Sequence, residues 1–331
     1  MIYLHETDQP SDKIKLAVQD QRAFIQTLGV QELTDLNAVI ARGEGDQLIA
    51  DCEKKHALDI ERISQTIFNK QDELGVVLIA GPSSSGKTTF SNRLRESLFV
   101  RGITCHVIST DDYFLSDNDA RRKNGEVDWE SLDIVDTELF DQHMNALNHG
   151  ETIELPFFNF LNGSREWHGN KIKLLDKHLI VVEGIHGLNP KLAPNLPETL
   201  KYKLYVSPIP QMTYRGEHIA PSSFRLLRRL VRDHLYRAAK AEDTLARWQS
   251  VRQGEVKNIF PFIAEADDVF NSTLPYEPAV LREQALALLT NIPENTMQYE
   301  FYEPIREMLR DIVSLPTTNI PNYSLLREFI G

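Results

Sequence analysis

The chain has 331 residues, is 41% hydrophobic and carries a formal net charge of −12 at neutral pH. That length can bury a large core, as one α/β domain with appendages in our reading, and the acidic balance argues against a nucleic-acid surface while leaving small phosphorylated ligands compatible. Cys52 and Cys105 fall into no metal or disulfide spacing, Met1-Ile2-Tyr3-Leu4-His5-Glu6 lacks a leader pattern, and nowhere do eighteen apolar residues run together, so the expectation is a cytoplasmic protein without nucleic-acid or membrane partners.

Residues 1–72 read as an α-helical extension, with Leu58, Ile60, Ile63, Ile67 and Phe68 approximating a helical stripe. Val76-Val77-Leu78-Ile79-Ala80 is short and β-branched, as a buried parallel strand should be. Directly after it, Gly81-Pro82-Ser83-Ser84-Ser85-Gly86-Lys87-Thr88 completes G-x-x-x-x-G-K-[ST], and Phe90, Leu94 and Leu98 then recur every four residues until Gly102. Strand, glycine loop and helix in that order make a nucleotide phosphate cradle. Glycines at 81 and 86 permit the tight turn that aims successive N–H groups and the positive helix end at phosphate, and the cradle extends over Ser83, Ser84, Ser85, Lys87, Thr88 and Thr89. Lys87 adds a point charge and Thr88 a hydroxyl ligand for Mg²⁺.

Strand and helix patterns then alternate, the grammar of a parallel sheet with crossovers: His106 to Ser109, a helix around Leu139 to Leu147, Leu179 to Val182, Tyr202 to Val206, and Val269-Phe270. Residues 151–175 alternate short β-like pieces with turns and read as a substrate-side insertion. From about residue 276 the tail is helical, with Leu281, Leu286, Leu288 and Leu289 in one segment and Ile305, Met308, Leu309 and Ile312 in the next.

In such a sheet ligands collect at the carboxyl ends of the strands. Asp111 and Asp112 follow the second strand, and Asp111 is the candidate general base or Mg²⁺ contact, with capping or turn aspartates as the alternative. Glu183, after Leu179 to Val182, takes the position of a second acid that positions Mg²⁺. Arg225, Arg228, Arg229 and Arg232 fall at i, i+3, i+4 and i+7, so they share a helix face opposite Leu226, Leu227, Leu230 and Val231. We read residues 223–240 as a cationic lid over transferring phosphate, with Arg237 adding to it; a solvated basic face paired with Asp233 is the alternative. His186 could be structural or a substrate contact, and Trp129, Trp167 and Trp248 could be core or pocket.

Across residues 73–275 these segments resemble the uridine kinase and phosphoribulokinase group of P-loop kinases. The resemblance implies a nucleoside-monophosphate-kinase-like α/β fold with helical N- and C-terminal extensions, the second of them at 276–331. It also implies ATP and Mg²⁺ as cofactors and a hydroxylated small molecule as acceptor. Ile108-Ser109-Thr110-Asp111-Asp112-Tyr113 is similar to the segment whose first aspartate is the catalytic base in uridine kinases, and Val182-Glu183-Gly184-Ile185 to the Mg²⁺-associated segment. Arg225 to Asp233 resembles the lid helix, which assigns Arg232 to the reacting phosphoryl group beside Lys87 and Asp111. Glu183 to Pro190, Lys257 to Phe262 and Leu325 to Gly331 resemble a bacterial uridine-kinase-like branch. Its members often carry threonyl-tRNA-synthetase-like N-terminal domains, and the seventy or so residues before the kinase segment lead us to expect those domains to be missing here.

The departures concern the acceptor. Where uridine kinases have a base-contacting tyrosine and histidine, this chain has Phe158 and Gly163, followed by Arg165. Glu130 aligns with the aspartate that holds ribose hydroxyls, and Tyr113 and Asp112 stand near the same edge. Phenylalanine cannot donate a hydrogen bond and glycine has no side chain, which weakens uridine as the specific acceptor. Alternatives are a kinase of the sugar-phosphate, glycerate or pantothenate type, or a nucleotide-binding regulatory module. The ATP-or-GTP preference, homo-oligomerisation and the role of the extension are left open.

Overall fold

A computed structural model describes residues 11–331 apart from 117–121, 124, 125, 161, 177 and 293–298. Three helices come first, α1 (Asp12–Leu28), α2 (Asp35–Ala41) and α3 (Gly45–Asn69). The alternating part follows with β1 (Val76–Ala80), α4 (Lys87–Val100), β2 (Thr104–Ser109), the two-residue strands β3 (Arg122–Lys123) and β4 (Glu126–Val127), α5 (Thr137–Asn148), β5 (Thr152–Asn159), β6 (Ser164–Lys173), β7 (His178–Gly184) and β8 (Lys201–Ser207). After the short pair β9 (Thr213–Tyr214) and β10 (Glu217–His218) come α6 (Pro221–Arg237), α7 (Ala241–Asn258), β11 (Asp268–Asn271), α8 (Glu277–Thr290), α9 (Tyr299–Arg310) and α10 (Arg327–Ile330).

The central sheet is parallel throughout, in the order β11-β8-β1-β7-β2. This is the α/β class read from the sequence, and β1 runs down its middle with every residue buried. Its side chains divide by parity: Val77 and Ile79 join the core beneath α3, α4, α6 and α8, while Val76 and Leu78 join the one that contains Phe140 and Met144 of α5. That period of two is why a continuous apolar run signals a strand covered on both faces. On α4, the four-residue spacing of Phe90, Leu94 and Leu98 puts all three on one buried stripe.

Residues 152–173 form one long antiparallel hairpin, β5 with β6, irregular between Glu154 and Pro156. It packs by its β5 side near the turn that follows β2, contributing Ile153 and Phe158 to the second core. The first core is continuous from Ile25 of α1, through α3 and the sheet, to Phe329 of α10. The chain that follows α1 is clasped by Leu33 donating to the Thr213 carbonyl and Thr213 donating to that of Gln31. No helix among the described residues is long and apolar enough to cross a membrane.

Candidate active site

The loop between β1 and α4 has the shape its sequence asks for. Ser84 and Gly86 both stand in the left-handed region, at φ of 60° and 90°, so the chain turns tightly within three residues, as a loop built around phosphate does. A Cβ at Gly81 would overlap the Val206 carbonyl of β8, so the loop can lie this close to the sheet only as glycine. Lys87 Nζ donates to the carbonyls of Gly81 at 2.8 Å and Pro82 at 3.2 Å. The hydroxyls of Ser84 and Ser85 are buried and have no hydrogen-bond partner. Left-handed turns and partnerless buried hydroxyls fit a polyphosphate.

Register brings the acids to the same place. Glu183 of β7 lies opposite Ile79 of β1 and Ser109 of β2, so it stands at the carboxyl end of the sheet beside the loop. Asp111 follows Ser109 in a single 3-10 turn, with its amide donating to the Ser109 hydroxyl at 3.3 Å. That hydroxyl also bonds the Glu183 carboxylate. Gly184 lets the turn approach, since a Cβ there would overlap the Thr110 hydroxyl. Burial pushes Glu183 up to about 7, with Lys87 opposing and Asp111 reinforcing the rise. Asp111 is raised as well, first by burial, against the attraction of Lys87 and Arg237.

Glu130 reaches the same cluster from a separate loop, where it leans on Gly254 of α7 so closely that a Cβ there would collide with it. Asn258 holds the Glu130 carbonyl at 2.7 Å. Its Oε2 is buried without a partner, and its pKa rises to about 7 through burial and the nearby Glu255, opposed by Arg229 and Lys87. Ten residues with chemistry therefore surround the carboxyl end of β1: Ser83, Ser84, Ser85, Lys87, Thr88, Thr89, Asp111, Glu130, Glu183 and Arg229.

The arginine helix corrects the sequence reading. The lid face was expected to present Arg225 and Arg228 to phosphate, but both are fully buried. Arg225 makes a two-pronged pair with Glu255 at 2.5 and 2.9 Å and donates to the Ser83 carbonyl at 3.1 Å. Arg228 pairs with Glu277 at 2.7 Å and reaches the carbonyls of Ser85 at 3.2 Å and Ser84 at 3.4 Å. These two engage the carbonyls of Ser83, Ser84 and Ser85, so they brace the loop rather than stand free to cover it. Arg229 donates to the Ser83 hydroxyl at 2.8 Å, and Asp233 gathers Arg229, Arg232 and Arg237 at 3.3, 3.0 and 3.5 Å. So Arg229, Arg232 and Arg237 stay beside the site, tied to one another through an acid.

On the acceptor side several expected residues turn elsewhere. Asp112 accepts from the Phe158 amide at 3.3 Å and faces a cavity of about 210 Å³ lined also by Leu155, Pro156, Phe157 and His168, none of them in the loop. Tyr113 is fully buried, with its hydroxyl 3.0 Å from His143. Arg165 is paired with Asp136 at 2.8 Å, fastening the hairpin to the start of α5. Phe158 is 1% exposed and packs on Phe114 and Trp129. Gly163 stands in the hairpin turn with φ of 65°. His186 is buried against the backbone of Ser131, next to Glu130.

The model of the phosphoribulokinase / uridine kinase family matches residues 76–275 of this chain, the segment that carries every group in the cluster. The chain belongs to that family. Relatives within it include a uridine kinase of Borrelia duttonii, 29% identical over 195 residues that make up 58% of this chain and 84% of the relative. A uridine kinase of Staphylococcus haemolyticus is 27% identical over 178 residues, covering 53% and 76% of the two chains. Among solved structures, that of a candidate fructose transport system kinase from Silicibacter sp. TM1040 superposes with a TM-score of 0.50 at 19% identity, over 64% of this chain and 98% of that one, and shows the shared fold.

Within this small-molecule kinase family, three acids stand close to the loop that the sequence did not assign. Glu255 and Glu277 are the buried partners of the bracing arginines, 30 and 49 residues away. Glu328 comes from the tail and accepts from the Thr89 amide at 3.1 Å and hydroxyl at 2.8 Å. Helical spacing revealed the arginines, but an arginine that faces an acid in another element looks the same in sequence as one that faces solvent. Trp248, which could have been core or pocket, is core: it is 1% exposed beneath the Arg225 guanidinium, 5.4 Å from its ring centre.

Proposed function

We propose that this chain is an ATP-dependent kinase that transfers the γ-phosphoryl group to an alcohol of a small molecule, a nucleoside being the first acceptor to test. The observation that carries this reading is the shared electrostatic neighbourhood of Lys87, Asp111, Glu183 and Glu130, contributed by four separate segments at one end of the sheet. Lys87 and the amides from Gly81 to Thr89 bind and orient the phosphates. The Thr88 hydroxyl and Glu183 would hold Mg²⁺, a choice supported by the exposed hydroxyl at the first turn of α4 and the carboxylate in register beside it. When bound, Mg·ATP supplies the electrophilic phosphoryl group. Asp111 takes the acceptor's proton at its carboxylate, Arg232 and Arg229 with Arg237 lie over the developing charge, and α6 helps exclude water.

Glu130 would hold acceptor hydroxyls. Its partnerless Oε2 supports this, because a buried acceptor atom without a donor is costly unless a ligand supplies one. The same atom, together with the withdrawal of Phe158 into an aromatic cluster, favours a second reading in which the acceptor is a polyol-like metabolite of the sugar-phosphate, glycerate or pantothenate type. Nucleotide turnover with a panel of nucleosides, sugar phosphates, glycerate and pantothenate, repeated with Asp111→Asn, tests the assignment. Turnover that depends on one acceptor and is lost in the variant is expected. Hydrolysis indifferent to every acceptor would overturn it in favour of a nucleotide switch.

A further inference from the structure

The first turn of α4 has an unusual cap. Gly86 is its N-cap and offers no side chain, so the amides of the first turn have no local acceptor. The acceptor arrives from 239 residues away: Glu328 Oε2 takes both the amide of Thr89, at 3.1 Å, and its hydroxyl, at 2.8 Å. The peptide that delivers it is fixed on both sides. Leu325 lies so close to Gly86 that a Cβ there would stand 2.6 Å from its methyls, and Phe329 is fully buried with its ring centre 5.3 Å from the Arg228 guanidinium. Between them Leu326 is fully buried. The backbone of the tail is thus part of the wall around the loop, while the Glu328 side chain is only half-buried.

We propose that Glu328 sets nucleotide affinity by competing with phosphate: its carboxylate occupies the Thr89 amide and hydroxyl, and polyphosphate entering the loop must displace it. This rests on the reading of residues 81–89 as a nucleotide cradle. Both anions seek the same positive helix end and the same donors, and two negative groups cannot share them without repulsion. The charge of Glu328 already reaches across the site, where it adds to the rise in the Glu183 pKa. Competition of this kind lowers affinity for both ATP and ADP, so the residue also favours product release.

The test is calorimetric titration of Mg·ATP and Mg·ADP into the full chain as wild type, Glu328→Gln, Glu328→Ala and Lys87→Ala, with thermal unfolding of each to verify folding. Glutamine keeps the shape and an acceptor oxygen but not the charge; alanine removes both. Both Glu328 variants are expected to bind the two nucleotides about 3–10-fold more tightly, the scale of one lost capping interaction. Wild-type binding with unchanged or weaker affinity in both variants would overturn the competition and leave the cradle reading intact. Loss of binding in Lys87→Ala alone verifies the cradle, whereas absence of binding in wild type and in both Glu328 variants would remove the cradle reading, and this inference with it.

Discussion

Gly81 leaves no room for a methyl group, because the Val206 carbonyl already fills that space. Gly81→Ala is therefore expected to fold but to weaken Mg·ATP binding by at least about tenfold, since the loop must shift by more than a hydrogen bond tolerates; a titration checks it. Asp111 makes a different prediction. Asp111→Asn should retain nucleotide binding and lose about 10²–10⁴-fold in kcat, the usual weight of a general base. Burial raises the Asp111 pKa, so the proton returns to it at a higher pH than to an ordinary aspartate. The acid limb of kcat/KM should accordingly lie above pH 3.8 and activity should fall as pH falls through it. Glu130 couples function to stability. Its pKa is about 7 in the folded chain against an ordinary 4.5, so between those values the folded state keeps a proton that the unfolded state has released. Stability is then lost as pH rises from 4.5 through 7. Glu130→Gln should raise Tm by roughly 2–5 °C at pH 8 but not at pH 4, while raising the acceptor KM; thermal unfolding at the two pH values reads the first part.

At the scale of elements, α6 braces the glycine loop through its buried arginines. Arg228 and Glu277 are both without exposure, so removing one leaves the other buried and unpaired. Arg228→Met is expected to cost about 3–5 kcal/mol in denaturant unfolding, and Arg228→Met combined with Glu277→Met to recover much of it. Nucleotide binding should stay weak in the double variant, because the Ser84 and Ser85 carbonyls have still lost their donor. This is also where the sequence was hardest to read. The i, i+3, i+4, i+7 spacing located the arginines correctly on one side of a helix, since that depends only on local geometry. Which of them meet ligand depends on α7 and α8, whose Glu255 and Glu277 lie far along the chain and carry no local mark. Strands β1 and β7 were legible because each holds an unbroken apolar run, Val76–Ala80 and Leu179–Val182, of the kind that two covered faces of a sheet demand, whereas β2 and β8 showed only through short apolar stretches among polar residues. Tyr113 and Arg165 were misplaced for the opposite reason: polar residues at a strand end or hairpin can be satisfied by a neighbour such as His143 or Asp136 as readily as by a ligand.

At the scale of the whole molecule, the parallel order β11-β8-β1-β7-β2 gathers the glycine loop, Glu183 and Asp111 at one edge, so the donor side follows from topology. The acceptor side does not. In the proposed function it would be built from the Glu130 loop, the β5–β6 hairpin and α7, whose mutual arrangement no periodicity encodes, and its specificity would rest on a few polar atoms such as Glu130 Oε2. The helices before β1 and after β11 join the same continuous core as the sheet, and the tail returns to the loop itself. The central claim is that a phosphoryl group held over Lys87 passes to an alcohol beside Asp111. Its most direct test is a single-turnover experiment with γ-labelled ATP and each candidate acceptor. The account predicts label in one phosphorylated alcohol with the intact chain, and its appearance about 10²–10⁴-fold more slowly with Asp111→Asn; label released only as inorganic phosphate, or transferred equally fast by the variant, would contradict it.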